Sequence, residues 1–511
     1  MDYKKEIKNI GLFERVCEAS ADHALDAELN LPDYCPAIQR IIKCSIIPNV
    51  ISSRIQSGKI TAEINAVIRL VYADESGNIA SFEQSDSFEK SVEHSSITQD
   101  CISDIRIKTD YVNCRATSPR KADIRSMIRI ICSVSKKRSE DILVDVNGCG
   151  IQTMKDSVQA ASITAVNQKI FSVSEIKEIP DDKPVVVSIL NSQANAVCSE
   201  IKVINNKALI KGECNVKVYY IYNEKGDVEF AEHNMPISQI VEAEGLSEED
   251  NINISLSVYS CEVYSKVNSN GEMRQLDINV GIGSYLVSFE ENPVSFITDA
   301  YSTSYDLANT TKSIEVMSFN KKIDNSFTNK TVLESIGVSV ERIICSSCSD
   351  MSYTYALKDS NCQISGSYEI TVLYVDSEKQ IGIIKKPITF DYSVALNMPA
   401  ESIRCLGGVS LIGCSCAATG ESRLEIKAEM FASFCVFNCR IKKYISAIET
   451  GEISSNKNDK SSLTIYFADK GEAVWNIARK YCTTVEAITE ENELNERILD
   501  SSRMLLIPLA E

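Results

Sequence analysis

The sequence predicts a mainly β protein, in which three repeated antiparallel sandwich-like domains are followed by a small βααβ module. Two internal signatures and one change of periodicity carry that expectation. The first signature is Ala62, Ala66, Ile68, Leu70 and Tyr72, whose spacing returns at Ile210, Cys214, Val216, Val218 and Tyr220, and again at Ile364, Tyr368, Ile370, Val372 and Tyr374. Mainly polar residues lie between these positions, among them Arg69, Lys217 and Thr371, which is the period-two alternation of a half-buried strand. A polar turn follows each one, at 74–77, 223–226 and 376–379, and then another β-prone stretch, so each strand opens a hairpin.

The second signature begins a further strand at Arg120-Lys121-Ala122-Asp123-Ile124, Arg274-Gln275-Leu276-Asp277-Ile278 and Ser422-Arg423-Leu424-Glu425-Ile426. From each repeat tyrosine to the acidic residue the separation is 51 (72 to 123), 57 (220 to 277) and 51 (374 to 425), so the units correspond along most of their length. Several short strands per unit, punctuated by turns, suggest an antiparallel sandwich or open barrel. The domains expected are an N-terminal segment at 1–30, β repeats at 31–150, 165–300 and 330–447, a polar linker at 450–462 and a module at 463–509.

Within that module a strand at 463–468 gives way to a helical stripe, Val474, Ile477, Ala478 and Tyr481. Thr483 and Glu486 propose a capped second helix, and 504–508 a closing strand. Tyr466, Gly471, Val474-Trp475, Ile477-Ala478, Tyr481, Val485, Asn492 and Leu506-Ile507-Pro508 resemble the LysM family. That resemblance implies a glycan groove beside the first helix and a peptidoglycan ligand. Two departures weigh against sugar: the usual Gly-Asp-Thr is Gly471-Glu472-Ala473, and Ser502 replaces a glycine. A missing hydroxyl removes a hydrogen bond worth about 1 kcal/mol, which favours a protein ligand.

The three β repeats resemble SPOCS domains, and their combination with a terminal LysM-type module resembles the SipL-like spore coat morphogenesis proteins. The resemblance implies a protein of the mother-cell cytoplasm at the forespore surface and spore coat. It further implies binding of the coat-scaffold ATPase, stage IV sporulation protein A, through the LysM-type module, alongside other coat proteins. A peptidoglycan-binding cell-wall protein is the alternative.

Bulk composition bounds the remaining classes. With 511 residues, 44% hydrophobic and 24% charged, the chain has material for several cores. A net charge of −18 without a basic run disfavours nucleic acid and anionic membranes, and no apolar run is long enough for membrane insertion. The first twenty residues lack the apolar core of a secretory signal, and 19 cysteines then read as reduced cytosolic thiols.

No catalytic residue, metal or cofactor is assigned. His23, His94 and His233 lie far apart and no nucleophile or phosphate-loop motif accompanies them, so a non-enzymatic protein is expected. Cys345-x-x-Cys348 with Cys414-x-Cys416 offers four thiolates for zinc, but their strand setting reads as core packing. Asp123, Asp277 and Glu425 read as solvated strand residues, and the repeat tyrosines as packing residues with the hydroxyl at the core edge. The partner-binding candidates are Leu463, Ile465, Phe467, Gly471, Ala473, Trp475 and Asn492. Alternation points Leu463, Ile465 and Phe467 away from the thin module's core, into an outward apolar row that Trp475 extends.

Overall fold

A computed structural model describes residues 3–224, 226–334, 336–420, 422–453 and 463–508, with only the backbone of Phe13, Asp350 and Leu463. It is mainly β, with antiparallel sheets and two short helices. Each of the first three units has six strands. In the first unit these are β1 (Lys4–Asn30), β2 (Arg40–Gln56), β3 (Lys59–Ala73), β4 (Ile79–Glu93), β5 (Cys101–Ser118) and β6 (Lys121–Asn147). They form two three-stranded sheets, ordered β2-β3-β4 and β1-β6-β5.

The second unit contains β7 (Ile151–Glu178), β8 (Ser188–Ile204), β9 (Lys207–Ile221), β10 (Val228–Glu242), β11 (Asn251–Val267) and β12 (Met273–Ser302). The third contains β13 (Tyr305–Leu333), β14 (Val340–Lys358), β15 (Asn361–Asp376), β16 (Ile381–Ala395), β17 (Ile403–Gly420) and β18 (Arg423–Ile453). Their sheets, β8-β9-β10 with β7-β12-β11 and β14-β15-β16 with β13-β18-β17, repeat the strand order of the first unit. Tyr72, Tyr220 and Tyr374 lie on the central strands β3, β9 and β15, while Asp123, Asp277 and Glu425 lie on β6, β12 and β18.

Alternation explains the cores. Ile64, Ala66, Ile68, Leu70 and Tyr72 are buried on one face of β3; the last four pack with Ile124 and Ile128 of β6, and Ile64 with Ile130 and Cys132. The Tyr72 hydroxyl donates to the Pro36 carbonyl at 2.9 Å, and Tyr220 repeats the bond with Pro184 at 3.2 Å. Arg120 donates to the carbonyls of Pro32 and Cys35, as Arg274 does to those of Pro180 and Lys183, so the second-signature arginine clasps the turn that leads into the smaller sheet. Asp74 and Asp376 each accept two backbone N–H groups at the hairpin turn, as short polar turn residues do.

The segment at 1–30, expected to stand outside the first unit, contains β1, which pairs with β6 from Lys4↔Asn147 to Asn30↔Lys121. β7 and β13 likewise begin ahead of the expected starts at 165 and 330, at Ile151 and Tyr305. Of the expected linker, 450–453 belongs to β18, and 454–462 lies outside the described residues.

The six long strands outrun their sandwiches. Their far halves, contributed by β1, β6, β7, β12, β13 and β18, meet in a hub where Ile10, Leu12, Ile142, Phe296, Val316 and Tyr444 pack together. A second junction joins the smaller sheets: Val71, Tyr219 and Leu373, each preceding its repeat tyrosine, share one cluster with Leu190, Ile221 and Ile344. The nominally outward face of these sheets is thus partly an interface between units. Arg69, read from alternation as an outward residue, is only 9% exposed there; it pairs with Glu83 and donates to Asn191 and to the Ser192 carbonyl of the second unit.

The C-terminal module consists of β19 (Leu463–Ala468), α1 (Val474–Lys480), α2 (Val485–Glu491) and β20 (Arg503–Pro508), with β19 and β20 paired antiparallel. Val474, Ile477, Ala478, Ile488, Leu505 and Ile507 form its core. Thr484, one residue later than expected, is the α2 N-cap and accepts from the Ala487 N–H at 3.0 Å.

Candidate functional site

The β19–β20 ladder sorts its side chains by strand alternation. Ala468, Leu505 and Ile507 are buried, whereas Ile465 is 57% and Phe467 76% exposed. Phe467 is paired with Met504, itself 54% exposed, and Ile465 with Leu506, so these residues share the ladder's outer face. Such a patch on a small module exposes apolar surface that its own core does not use. Leu463 pairs with Pro508 through its backbone, and its side chain is outside the described set.

The other candidate residues have internal roles. Gly471 has φ +88 in the turn before α1, a conformation that strains any residue with a Cβ, and its N–H donates to the Leu499 carbonyl at 2.8 Å. Ala473 is the α1 N-cap without a side-chain cap and bridges to Ile498. Glu472, beside it, accepts from the Asp469 N–H and the Tyr466 hydroxyl, tying the turn to β19. Asn492 donates to the Ile488 and Leu506 carbonyls and accepts from the Leu506 N–H, so its amide braces α2 against β20.

Trp475 joins the module to the body of the protein. Its indole Nε1–H donates to Asp299 Oδ2 at 2.8 Å, and its ring meets Tyr301 edge to face with centroids 4.9 Å apart. Arg479 pairs with the same carboxylate at 2.7 Å, and the Tyr301 hydroxyl donates to the Thr483 carbonyl at 2.7 Å. The structure therefore separates Trp475 from the outer row: one face of the module docks on β12, and Ile465 and Phe467 remain exposed. Sequence periodicity could not reveal this docking, since Asp299 lies 176 residues from Trp475.

A concave feature of about 590 Å³ lies where the three units meet. Lys43, Arg69, Glu83, Glu369, Thr371 and Lys385 contribute to its lining. Arg69 is neutralised by Glu83, and Lys385 lies 3.8 Å from Glu369. Burial pushes the Lys43 ammonium below the usual lysine range, with Cys345 and Glu369 opposing that shift. Its Nζ donates to Ser347 Oγ at 3.4 Å. The alternating pattern concealed this cavity because its walls come from three distant units.

The cysteine set considered for zinc does not gather. Cys345 packs at the inter-unit cluster, whereas Cys348, Cys414 and Cys416 belong to the interior of the third sandwich. Of the histidines, His23 stacks on Phe88 at 3.7 Å, and burial holds the His233 imidazole below its usual pKa, helped by Lys177 and Lys183. Asp277 pairs with Lys266 at 2.5 Å across β11 and β12. No helix among the described residues is long and apolar enough to cross a membrane.

Comparison with curated proteins and with solved structures gives no match. A family model described as "SipL, SPOCS domain" matches residues 186–265, which span the sheet β8-β9-β10 and nearly all of β11. The second unit of this chain thus carries a match to the SPOCS domain of the SipL family, a finding that supports a SipL-like, sporulation-related protein.

Proposed function

We propose that this chain is a non-enzymatic spore coat assembly protein of the mother-cell cytoplasm, which docks at the forespore surface by binding the coat-scaffold ATPase, stage IV sporulation protein A. In this reading the three β units are SPOCS repeats forming a rigid platform, and the βααβ module is a LysM domain that makes the contact. The observation carrying the choice of surface is the exposed row of Ile465, Phe467 and Met504, on a module whose other face is engaged with Asp299 and Tyr301. Exposed apolar clusters favour a protein partner, because glycan recognition depends on placed polar groups. The uncapped Ala473 supplies no hydroxyl to a sugar groove.

The test is a binding titration of full-length protein with the purified scaffold ATPase, alongside Ile465→Glu and Phe467→Glu. A residue at the centre of an interface contributes about 2 kcal/mol, or roughly thirtyfold in affinity. Each variant should weaken binding by at least that factor and lose coat localisation while retaining the wild-type circular dichroism spectrum. Folded variants that bind at wild-type affinity would reject this surface. Sedimentation with peptidoglycan, without ATPase binding, would replace the assembly reading with the cell-wall one.

A further inference from the structure

Three pairs of cysteines approach one another across sandwich interiors without being bonded. Cys362 on β15 and Cys405 on β17 have their sulfurs 3.8 Å apart. Cys44 on β2 and Cys114 on β5 pack against the same core cluster of the first unit, and Cys348 on β14 and Cys414 on β17 against that of the third, close enough within each pair to perturb one another's titration. In each pair one thiol belongs to the smaller sheet of its unit and the other to the long-stranded sheet. All nineteen cysteines are unbonded, so these pairs are set apart by their neighbours, not by oxidation state.

The second unit provides an internal contrast. Its corresponding strands β8 and β11 carry Cys198 and Cys261, but Cys198 Sγ is directed at the Glu200 carbonyl at 3.6 Å, and Cys261 lies against Ser192. Access also differs between thiols. Cys44 and Cys348 line the partly open cavity between the units, as does the second unit's Cys261, so a small solute in that cavity meets one sulfur of each of those pairs and also this control thiol. The interaction within these two pairs favours the thiolate on Cys114 and Cys414 and holds the proton on Cys44 and Cys348, so the cavity-lining sulfur attacks once that proton passes to its partner, which then resolves.

We propose that Cys44–Cys114, Cys348–Cys414 and Cys362–Cys405 are sites of intramolecular disulfide formation by a small peroxide, each bond stapling the two sheets of one unit. The thiolate attacks one peroxide oxygen, the O–O bond breaks, and hydroxide leaves with a sulfenic acid formed. The partner thiol gives its proton to hydroxide and attacks the sulfenic sulfur; the S–O bond breaks, the S–S bond forms, and a second hydroxide takes up a proton to leave as water. Two thiols and one hydrogen peroxide thus become one disulfide and two waters, with two electrons passing from sulfur to oxygen. The Cys362 and Cys405 sulfurs, 3.8 Å apart, need only side-chain rotation to approach bonding distance.

The test exposes reduced, full-length, native protein to a few equivalents of hydrogen peroxide. Remaining thiols are then alkylated in denaturant, and the non-reduced digest is mapped by mass spectrometry. The expected map contains three linked peptides, each two hydrogens lighter than the sum of its reduced halves, with Cys198 and Cys261 alkylated. Cys114→Ser, Cys414→Ser and Cys405→Ser should each remove one linked peptide and leave the other two. The wild-type map decides even if a variant fails to fold. Full alkylation of the six cysteines, scrambled pairing like that of a denatured control, or links between chains would each overturn the proposal.

Discussion

Replacing Asp299 with alanine should release the C-terminal module from the body of the protein. Its carboxylate accepts the Trp475 indole N–H at 2.8 Å and the Arg479 guanidinium at 2.7 Å. The indole bond is charge-assisted and contributes about 1.5–3 kcal/mol. The Arg479 side chain is 52% exposed, so its ion pair is discounted for solvent screening to about 0.2–1 kcal/mol. The Tyr301 ring contact and its bond to the Thr483 carbonyl survive the substitution. A net loss of about 2–3 kcal/mol corresponds to a fall of roughly 30- to 150-fold in the docking equilibrium. Trp475 is the sole tryptophan, so intrinsic emission reads this one contact. In Asp299→Ala the emission should move to longer wavelength and iodide quenching should steepen, with the circular dichroism spectrum unchanged. Emission and quenching identical to wild type in the folded variant would refute the assignment of Asp299 as the docking anchor.

Two further outcomes follow from the core and from a buried imidazole. Phe296→Ala removes a ring buried in the hub beside Tyr444, which should cost about 3–5 kcal/mol; hydrogen exchange should accelerate together in β1, β7 and β13, and acceleration confined to β7 and β12 would argue against a shared hub. His233 is held below its unfolded pKa by burial and by Lys177 and Lys183, so the unfolded chain binds the proton more readily. Its contribution is therefore complete above the unfolded value of 6.5 and is lost as pH falls towards the folded one. His233→Gln should flatten the dependence of the urea midpoint on pH below 6.5, and an unaltered slope would contradict that assignment.

The strands that bury one clean face were readable from residue order alone. In β3, β9 and β15 alternation separates core from polar residues, and turn chemistry at Asp74 and Asp376 ends them. The long strands were harder to recognise. β1 carries Lys, Glu and Ala along its length, a composition with helical preference, and it becomes a strand because β6 offers 26 paired positions and a shared hub. Arg69 misled for a related reason: alternation tells which residues share a face, but not whether solvent or another unit lies against it. In the module, the apolar stripe of α1 identified Val474, Ile477 and Ala478 as core. The partner of Trp475 was invisible, because a contact across 176 residues leaves no local period.

The connectors between units are very short: β6 passes into β7 through 148–150, and β12 into β13 through 303–304. Successive units are therefore held side by side by the chain itself, and the hub is completed only when β13 and β18 are in place. A nascent chain ending after the second unit would carry Phe296 and Leu12 with one wall of their enclosure missing, an opening that invites association with another unfinished chain. The third unit, synthesised after the other two, acts as a stopper that turns an adhesive intermediate into a self-contained body. One module then serves all three units, since its anchor Asp299 belongs to the second alone. If the exposed row of the module is the docking surface proposed above, each molecule carries one copy of it, and avidity through that surface must arise from the multiplicity of the partner.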